Sequence, residues 1–232
     1  MEQHHGFAKR QLAESERHRN TSVLKPYGVW GVISPFNFPV ALSGGPTAAA
    51  ILAGNTVVLK PAEDTPYSPT LLVQAFHDAG VPPGVVNMVT GQKETGRALV
   101  DHGDVDGFTF TGSYRVGMEI FAKVAAGAKP RPVITEMGGK NPAIVSKKAN
   151  VEMAAEGVVR AAFGLTGQKC SACSRVLVHE DVKDEFVARL VALAEQVKIG
   201  DPTASDIWMG PVINSRAYTN YQTHIAECAA RG

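Results

Sequence analysis

From residue 28 to residue 197 the apolar positions switch repeatedly between two periods. Short runs rich in Val, Ile, Leu and Phe, bounded by Gly or Pro, predict strands at 29–34, 56–60, 85–89, 107–111, 130–135, 143–145 and 176–179. Between them, stretches of small apolar residues or of apolar residues three and four apart predict helices at 39–52, 68–79, 94–100, 115–126, 151–163 and 182–197, with a last one at 215–230. Strand and helix in alternation predict an α/β fold. It is a Rossmann-like parallel sheet covered by helices, which binds ligands at the carboxyl ends of its strands. The first 26 residues, with Phe7 and Leu12 as their main apolar points, predict a surface helix and an extended lead-in at 21–24. Gly138 and Gly139 can relax the backbone between two sheets. They place the boundary between a nucleotide-binding domain at 27–138 and a second, partial domain at 139–232.

Composition narrows the possible functions. With 44% hydrophobic and 19% charged residues, a chain of 232 residues can bury a real core. Its 23 basic and 22 acidic residues give a formal charge of +1 and form no long block of one sign, so no nucleic-acid partner is expected. No apolar run approaches the roughly 20 residues that span a bilayer, and the N-terminus lacks a signal-peptide core. A cytoplasmic location without membrane contact is the expectation. The 3 cysteines are an odd number with no disulfide framework, which fits a reducing compartment. No metal is expected. His4 and His5 are adjacent and would point apart on a helix, and Cys170-x-x-Cys173 has no second ligand pair.

Candidate chemistry centres on Cys170 in GLTGQKCSACSR, residues 164–175. A free thiol titrates near pH 8.5, at about the value of an unperturbed cysteine, so a nucleophilic Cys170 needs a neighbouring positive charge. Without one it is a small hydrophobe. Lys169 either supplies that charge or faces solvent. Asn37, before Phe38-Pro39, either offers its amide to a ligand or bonds its own backbone. Glu136, before Gly138-Gly139, is either a general base or a solvated strand end. Lys60 and Glu63 follow a strand, and Gly112-Ser113 precede a helix whose free N–H groups suit an anion. Arg115 beside them either adds to that site or lies on the surface. No Gly-x-Gly-x-x-Gly is present. Cys173 is placed to resolve an oxidised Cys170, and Cys228 to be inert.

Five segments carry a more specific signal. SPFNFP (34–39), NTVVLKPAEDTP (55–66), FTGSYRVG (110–117), TEMGGKNP (135–142) and GQKCSACSR (167–175) resemble, in that order, the aldehyde dehydrogenase superfamily. The last most resembles the branch that oxidises glutamate γ-semialdehyde, the open form of pyrroline-5-carboxylate, in proline metabolism. The resemblance implies Cys170 as nucleophile, Glu136 as general base, and Asn37 with the Cys170 N–H as oxyanion donors. It implies cofactor binding by Ser34, Phe36, Lys60, Glu63, Gly112, Ser113, Gly117 and Gly138, with Phe36 also beside the substrate. Glu63 would repel a 2′-phosphate, which favours NAD over NADP. An aldehyde is the implied substrate, and full-length members form homo-oligomers. Against the family pattern, this chain lacks the early part of the cofactor domain, the later Glu-x-Phe-Gly-Pro segment and the C-terminal strand exchanged on dimerising. The expectation is a chain truncated at both ends.

Two other classes explain part of these features. A non-catalytic, nucleotide-binding remnant would bind NAD without turnover. A thiol-dependent ester hydrolase would use Cys170 and Glu136 and leave Lys60 and Glu63 without a purpose.

Overall fold

The computed structural model describes residues 9–11, 21–23 and 25–231. They divide into two compact units, Met1–Glu136 and Met137–Gly232.

In the first unit, β1 (Lys9–Gln11) and β2 (Thr21–Val23) form a small antiparallel pair with Lys9 opposite Val23. This corrects the predicted surface helix where it covered Lys9–Gln11, while β2 falls in the extended lead-in predicted at 21–24. At Lys9–Gln11 the backbone groups pair with a β-branched segment ten residues on, and that pairing overrides local propensity. His4 and His5 lie outside the described residues.

A five-stranded sheet follows, in the order β5 (Val86–Met88), β4 (Thr56–Lys60), β3 (Val29–Ile33), β6 (Gly107–Gly112), β7 (Val133–Met137). The pairs β3–β4, β3–β6 and β4–β5 are parallel, with Ile33 opposite Lys60 and Phe110. Helices α1 (Ala41–Leu52), α2 (Tyr67–Asp78), α3 (Lys93–Asp101) and α4 (Tyr114–Ala125) connect the strands. Parallel strands covered by helices must be apolar on both faces, and Val32, Val57, Leu59, Val86 and Phe108 are all at most 2% exposed. Gly107 has a close-packing role: a Cβ there would stand 2.3 Å from Cζ3 of Trp30. The indole Nε1–H of Trp30 donates to Thr109 Oγ1 at 2.9 Å, which satisfies the one polar atom of a buried ring.

Strand β7 begins at Val133, three residues later than the apolar run suggested. Pro130 and Pro132 have no N–H to give a ladder, although the Pro132 carbonyl accepts from Phe108 N at 2.9 Å. On the far side of the sheet from β5, Asp106 accepts from Val29 N at 2.8 Å and from the Lys129 ammonium. The Arg131 guanidinium lies 5.2 Å from the Phe108 ring centre and donates to the carbonyls of Val100, His102 and Val105. These contacts tie the entry of β3 to the segment leading into β7.

The second unit holds β8 (Asn141–Val145), α5 (Val151–Phe163), a 3₁₀ turn at Gly164–Gly167, β9 (Cys173–Val178), α6 (Glu180–Glu195) and α7 (Ser215–Arg231). Strands β8 and β9 are parallel and pack on α5 and α6 through Val145, Ala155, Val158 and Phe186. Asn150 caps α5, its Oδ1 accepting from Met153 N at 3.0 Å. Strand β9 starts at Cys173, so this cysteine stands in the sheet and not in the loop. Its register skips between Cys173, opposite Asn141, and Arg175, opposite Pro142. Proline cannot donate at that step, and Ser174 is the bulged residue.

Among the described residues no helix is long and apolar enough to cross a membrane.

Candidate active site

The sheet of the first unit has its strand order reversed at β3. The chain runs outward from β3 through β4 to β5, then returns to lay β6 and β7 on the other side. At such a switch point the loops leaving adjacent strands diverge and open a crevice at the carboxyl edge. Most of the residues predicted for cofactor binding stand on that edge. Ser34 follows β3, Lys60 ends β4 with Glu63 just beyond, Gly112 ends β6 and Ser113 follows it.

Lys60 is 6% exposed, an unusual placement for an ammonium. Its Nζ donates to the Pro61 carbonyl at 2.8 Å and lies 3.8 Å from the Glu63 carboxylate. Burial lowers its pKa from the ordinary lysine value, and the Glu63 charge opposes that shift. A lysine has three N–H donors, so the head group keeps hydrogen-bonding capacity at the strand end. Gly96 of α3 runs over this side chain, its would-be Cβ 3.9 Å from Cδ.

Ser34 is buried, and its Oγ shares a 2.7 Å hydrogen bond with Ser43 Oγ of α1, so its hydroxyl serves the packing of α1 on β3. Ser113 is the N-cap of α4, its Oγ accepting from Val116 N at 3.4 Å. The remaining first-turn N–H groups have no partner within the helix. Gly117 is buried one turn further on. Arg115 is paired at 2.8 Å with Glu119 one turn along the same exposed helix face, which matches a surface arginine.

Between β3 and α1, Asn37 is half-buried and is followed by Phe38 with φ of 52°. A left-handed phenylalanine is an uncommon backbone state whose strain amounts to about 1–3 kcal/mol. The Phe36 carbonyl next to it is 3.5 Å from Thr65 Oγ1. Strained backbone of this kind concentrates where a loop must aim particular groups.

In the second unit the loop bearing Cys170 is built by a run of left-handed residues. Leu165 and Thr166 both have φ of 55°, and Gly167 has φ of 69°. This turn stops α5 and reverses the chain. The Thr166 hydroxyl donates to the Leu165 carbonyl at 2.6 Å, and Gln168 Nε2 donates to Thr166 Oγ1. Gln168 Oε1 accepts from Ile213 N at 3.0 Å, which ties the loop to the segment before α7. Cys170 is then exposed at the tip of a turn closed by Ala172 N donating to the Lys169 carbonyl at 3.2 Å.

Asn141, at the start of β8, holds this turn from the side. Its Nδ2 donates to the Cys170 carbonyl at 2.6 Å and lies 3.5 Å from the Ala172 carbonyl. Gly139 belongs to the same arrangement, a Cβ there standing 3.5 Å from the Cys170 oxygen and 3.4 Å from Asn141 Oδ1. The Lys169 ammonium lies back over Gly164, 2.9 Å from where a Cβ would stand. Cys173 Sγ donates to the Arg175 carbonyl at 3.3 Å.

Glu136 is exposed near the end of β7, and Gly138 follows in open space. The predicted residues thus fall into two sets. The strand-end residues gather in the first unit, and the cysteine loop with Gly139 gathers in the second. Sequence reasoning missed Asn141, Gln168 and Ser43. Asn141 lay inside the TEMGGKNP segment, but its partner is 29 positions away and is reached only because β8 pairs with β9. Among the described residues no group of three or more His, Cys, Asp or Glu side chains is placed to hold a metal.

Comparisons with known proteins bear on the whole arrangement. The model of the aldehyde dehydrogenase family matches residues 1–232. A 1-pyrroline-5-carboxylate dehydrogenase of Bacillus mycoides is 45% identical over 207 residues, covering 87% of this chain and 40% of that protein. The chain therefore spans well under half the length of the curated relatives it matches. Among solved structures, 1-pyrroline-5-carboxylate dehydrogenase from Thermus with bound NAD superposes with a TM-score of 0.83 at 36% identity, covering 87% of this chain and 40% of that one. A proline utilization A protein of Bradyrhizobium japonicum gives a TM-score of 0.90 at 38% identity, over 96% of this chain and 23% of that one. On the match along its full length and the agreement of fold, this chain belongs to the aldehyde dehydrogenase family.

Proposed function

We propose that this chain carries the cofactor-binding and nucleophile-bearing parts of an NAD-dependent aldehyde dehydrogenase, with glutamate γ-semialdehyde as the substrate. Two observations carry the reading: in the first unit Lys60, Glu63 and the cap of α4 stand at the carboxyl ends of parallel strands, and in the second unit an exposed Cys170 sits on a braced turn. Relatives named for 1-pyrroline-5-carboxylate oxidation support the substrate.

The residues present fit a dinucleotide. The Lys60 ammonium and the Glu63 carboxylate suit ribose hydroxyls, and the free first-turn N–H groups beside Ser113 suit a pyrophosphate. When bound, NAD supplies the acceptor for a hydride. The chain's own residues do the rest. The Cys170 thiolate adds to the aldehyde carbon and forms a C–S bond, while the carbonyl oxygen takes the negative charge. The Asn37 amide and the Cys170 N–H hold that oxygen, and one such donor is worth about 3 kcal/mol of barrier. Loss of hydride from the same carbon leaves a thioester on Cys170. Glu136 takes a proton from water as its oxygen attacks the thioester, the C–S bond breaks, and the carboxylate product leaves with Cys170 again a thiolate.

The test is single-turnover NADH formation from glutamate γ-semialdehyde beside a Cys170→Ala variant. A loss of at least about a thousandfold, the usual scale for removing a nucleophile, is expected with NAD affinity unchanged. NADH formed at the same rate by Cys170→Ala would refute the assignment. Ester hydrolysis that needs Cys170 but is indifferent to NAD, in a chain that binds no NAD, would favour the hydrolase reading.

A further inference from the structure

We infer that Asn141 is a positioning residue for the nucleophile: its side-chain amide clamps the Cys170 turn onto the first residue pair of the β8–β9 sheet. The inference rests on the reading of Cys170 as the reacting thiol.

The geometry is specific. Asn141 stands opposite Cys173 in the ladder, so its backbone is held at the start of the second unit's sheet. Its amide reaches sideways to the carbonyl of Cys170 itself, at 2.6 Å, and its nitrogen is 3.5 Å from the carbonyl of Ala172 on the other limb of the turn. One NH₂ group has two donors, enough for both carbonyls. The turn itself is closed by one backbone bond among the described residues, Ala172 N to the Lys169 carbonyl, and it follows three residues in the left-handed region. The bulge at Ser174 and the missing N–H of Pro142 remove a ladder bond just where the turn joins β9. Asn141 supplies a bond at that gap.

Two consequences follow for Cys170. Its ψ is fixed, because its own carbonyl is pinned, so the directions of the thiol and of its N–H relative to the sheet are fixed together. The positive end of the Asn141 amide also lies against the Cys170 carbonyl oxygen and offsets its negative end, which would otherwise disfavour a thiolate on the same residue. Neither a shorter side chain nor an acceptor-only isostere can do both. Gly139 leaves the space beside the clamp open, since the nearest atoms to a Cβ there are the Asn141 amide and the Cys170 oxygen.

The experiment measures alkylation of Cys170 by iodoacetamide across pH, using peptide mass spectrometry, in the unaltered chain, Asn141→Ala and Asn141→Asp. Cys228 on α7 is the internal reference in the same molecule. No aldehyde turnover is needed, so the positioning inference and the dehydrogenase reading can fail separately. The Cys170-to-Cys228 rate ratio at neutral pH is expected to fall about tenfold in Asn141→Ala, the scale of one hydrogen bond, and further in Asn141→Asp, with the Cys170 midpoint moving to higher pH. In the NADH assay kcat falls with KM and NAD affinity unchanged. An unchanged ratio and midpoint in both variants would overturn the inference. Should a variant not fold, the unaltered chain gives the second reading. Slow exchange of the Asn141 side-chain amide protons, measured by NMR against those of exposed Asn220, supports the clamp, and equal exchange rules it out.

Discussion

The two units finish their cores to different degrees. In the first, a five-stranded sheet is covered well enough that Val57, Leu59 and Phe108 are fully buried, and the groups at its strand ends are tied down by buried hydrogen bonds such as Ser34 to Ser43. In the second, a two-stranded sheet rests on α5 and α6 by one face only. Ile144 and Leu177 on the other face are 77% and 57% exposed, beside a cleft of about 760 Å³ lined by Val176, Phe186 and Leu190 among others. Two strands with one bare face are close to the minimum that stays folded, so the second unit leans on its helices and on local polar clamps. The contrast suggests a division of labour: a rigid scaffold that sets affinity, and a less buttressed one whose cysteine loop depends on a few bonds.

The largest expected departure from that division is Asn37. It belongs to the first unit, yet in the proposed mechanism it acts on the oxyanion. Asn37→Ala should lower the rate of NADH formation about 10²- to 10³-fold with NAD affinity intact, as measured by single-turnover kinetics and fluorescence titration. A change in affinity with no change in rate would return Asn37 to the scaffold.

Lys60→Met sharpens the comparison from the other side. It should weaken NAD binding by about tenfold to a hundredfold, the range for a hydrogen bond from a charged group, and leave the rate at saturating NAD close to normal. The same variant tests the buried ammonium. Because burial lowers the folded-state pKa of Lys60 below its unfolded value of 10.5, the unfolded chain binds the proton more tightly. The unaltered chain should therefore gain stability from this group as pH rises from the folded pKa toward 10.5. Thermal melts across that range should show the gain in the unaltered chain and not in Lys60→Met.

The smallest effect expected is at Leu165. This residue is half-exposed and left-handed, a state that costs a non-glycine residue about 1–2 kcal/mol and that asparagine tolerates better. Leu165→Asn should raise stability by roughly 0.5–1 kcal/mol, read from denaturant midpoints, without altering the Cys170 alkylation rate. A loss of stability would show that the Leu165 side chain packs for a purpose.

How much of this was legible beforehand follows the same division. The scaffold's strands and helices have strong apolar periods, and the predicted bounds of β4 at Thr56–Lys60 and of α5 at Val151–Phe163 coincide with the structure. The strand-end placement of Lys60, Gly112 and Ser113 could be read because each follows an apolar run directly. The cysteine loop resisted reading. Nothing in Leu165-Thr166 announces a left-handed backbone, since neither residue favours it. Ser174 and Arg175 hid the early start of β9 behind polar side chains. The role of Asn141 depends on a pairing between segments 29 positions apart, which no local pattern encodes. At the N-terminus, a three-residue strand at Lys9–Gln11 is too short for any period to show.

The claim on which the account turns is that Cys170 forms the covalent bond to the aldehyde, and the most direct measurement is acid quench during turnover with glutamate γ-semialdehyde and NAD, followed by peptide mass spectrometry. An acyl adduct of the aldehyde's mass less two hydrogens is expected on the peptide carrying Cys170, absent without NAD and more abundant in Glu136→Gln, where its hydrolysis is slowed. NADH formation with no adduct on Cys170, or with the adduct on Cys173 instead, would contradict it.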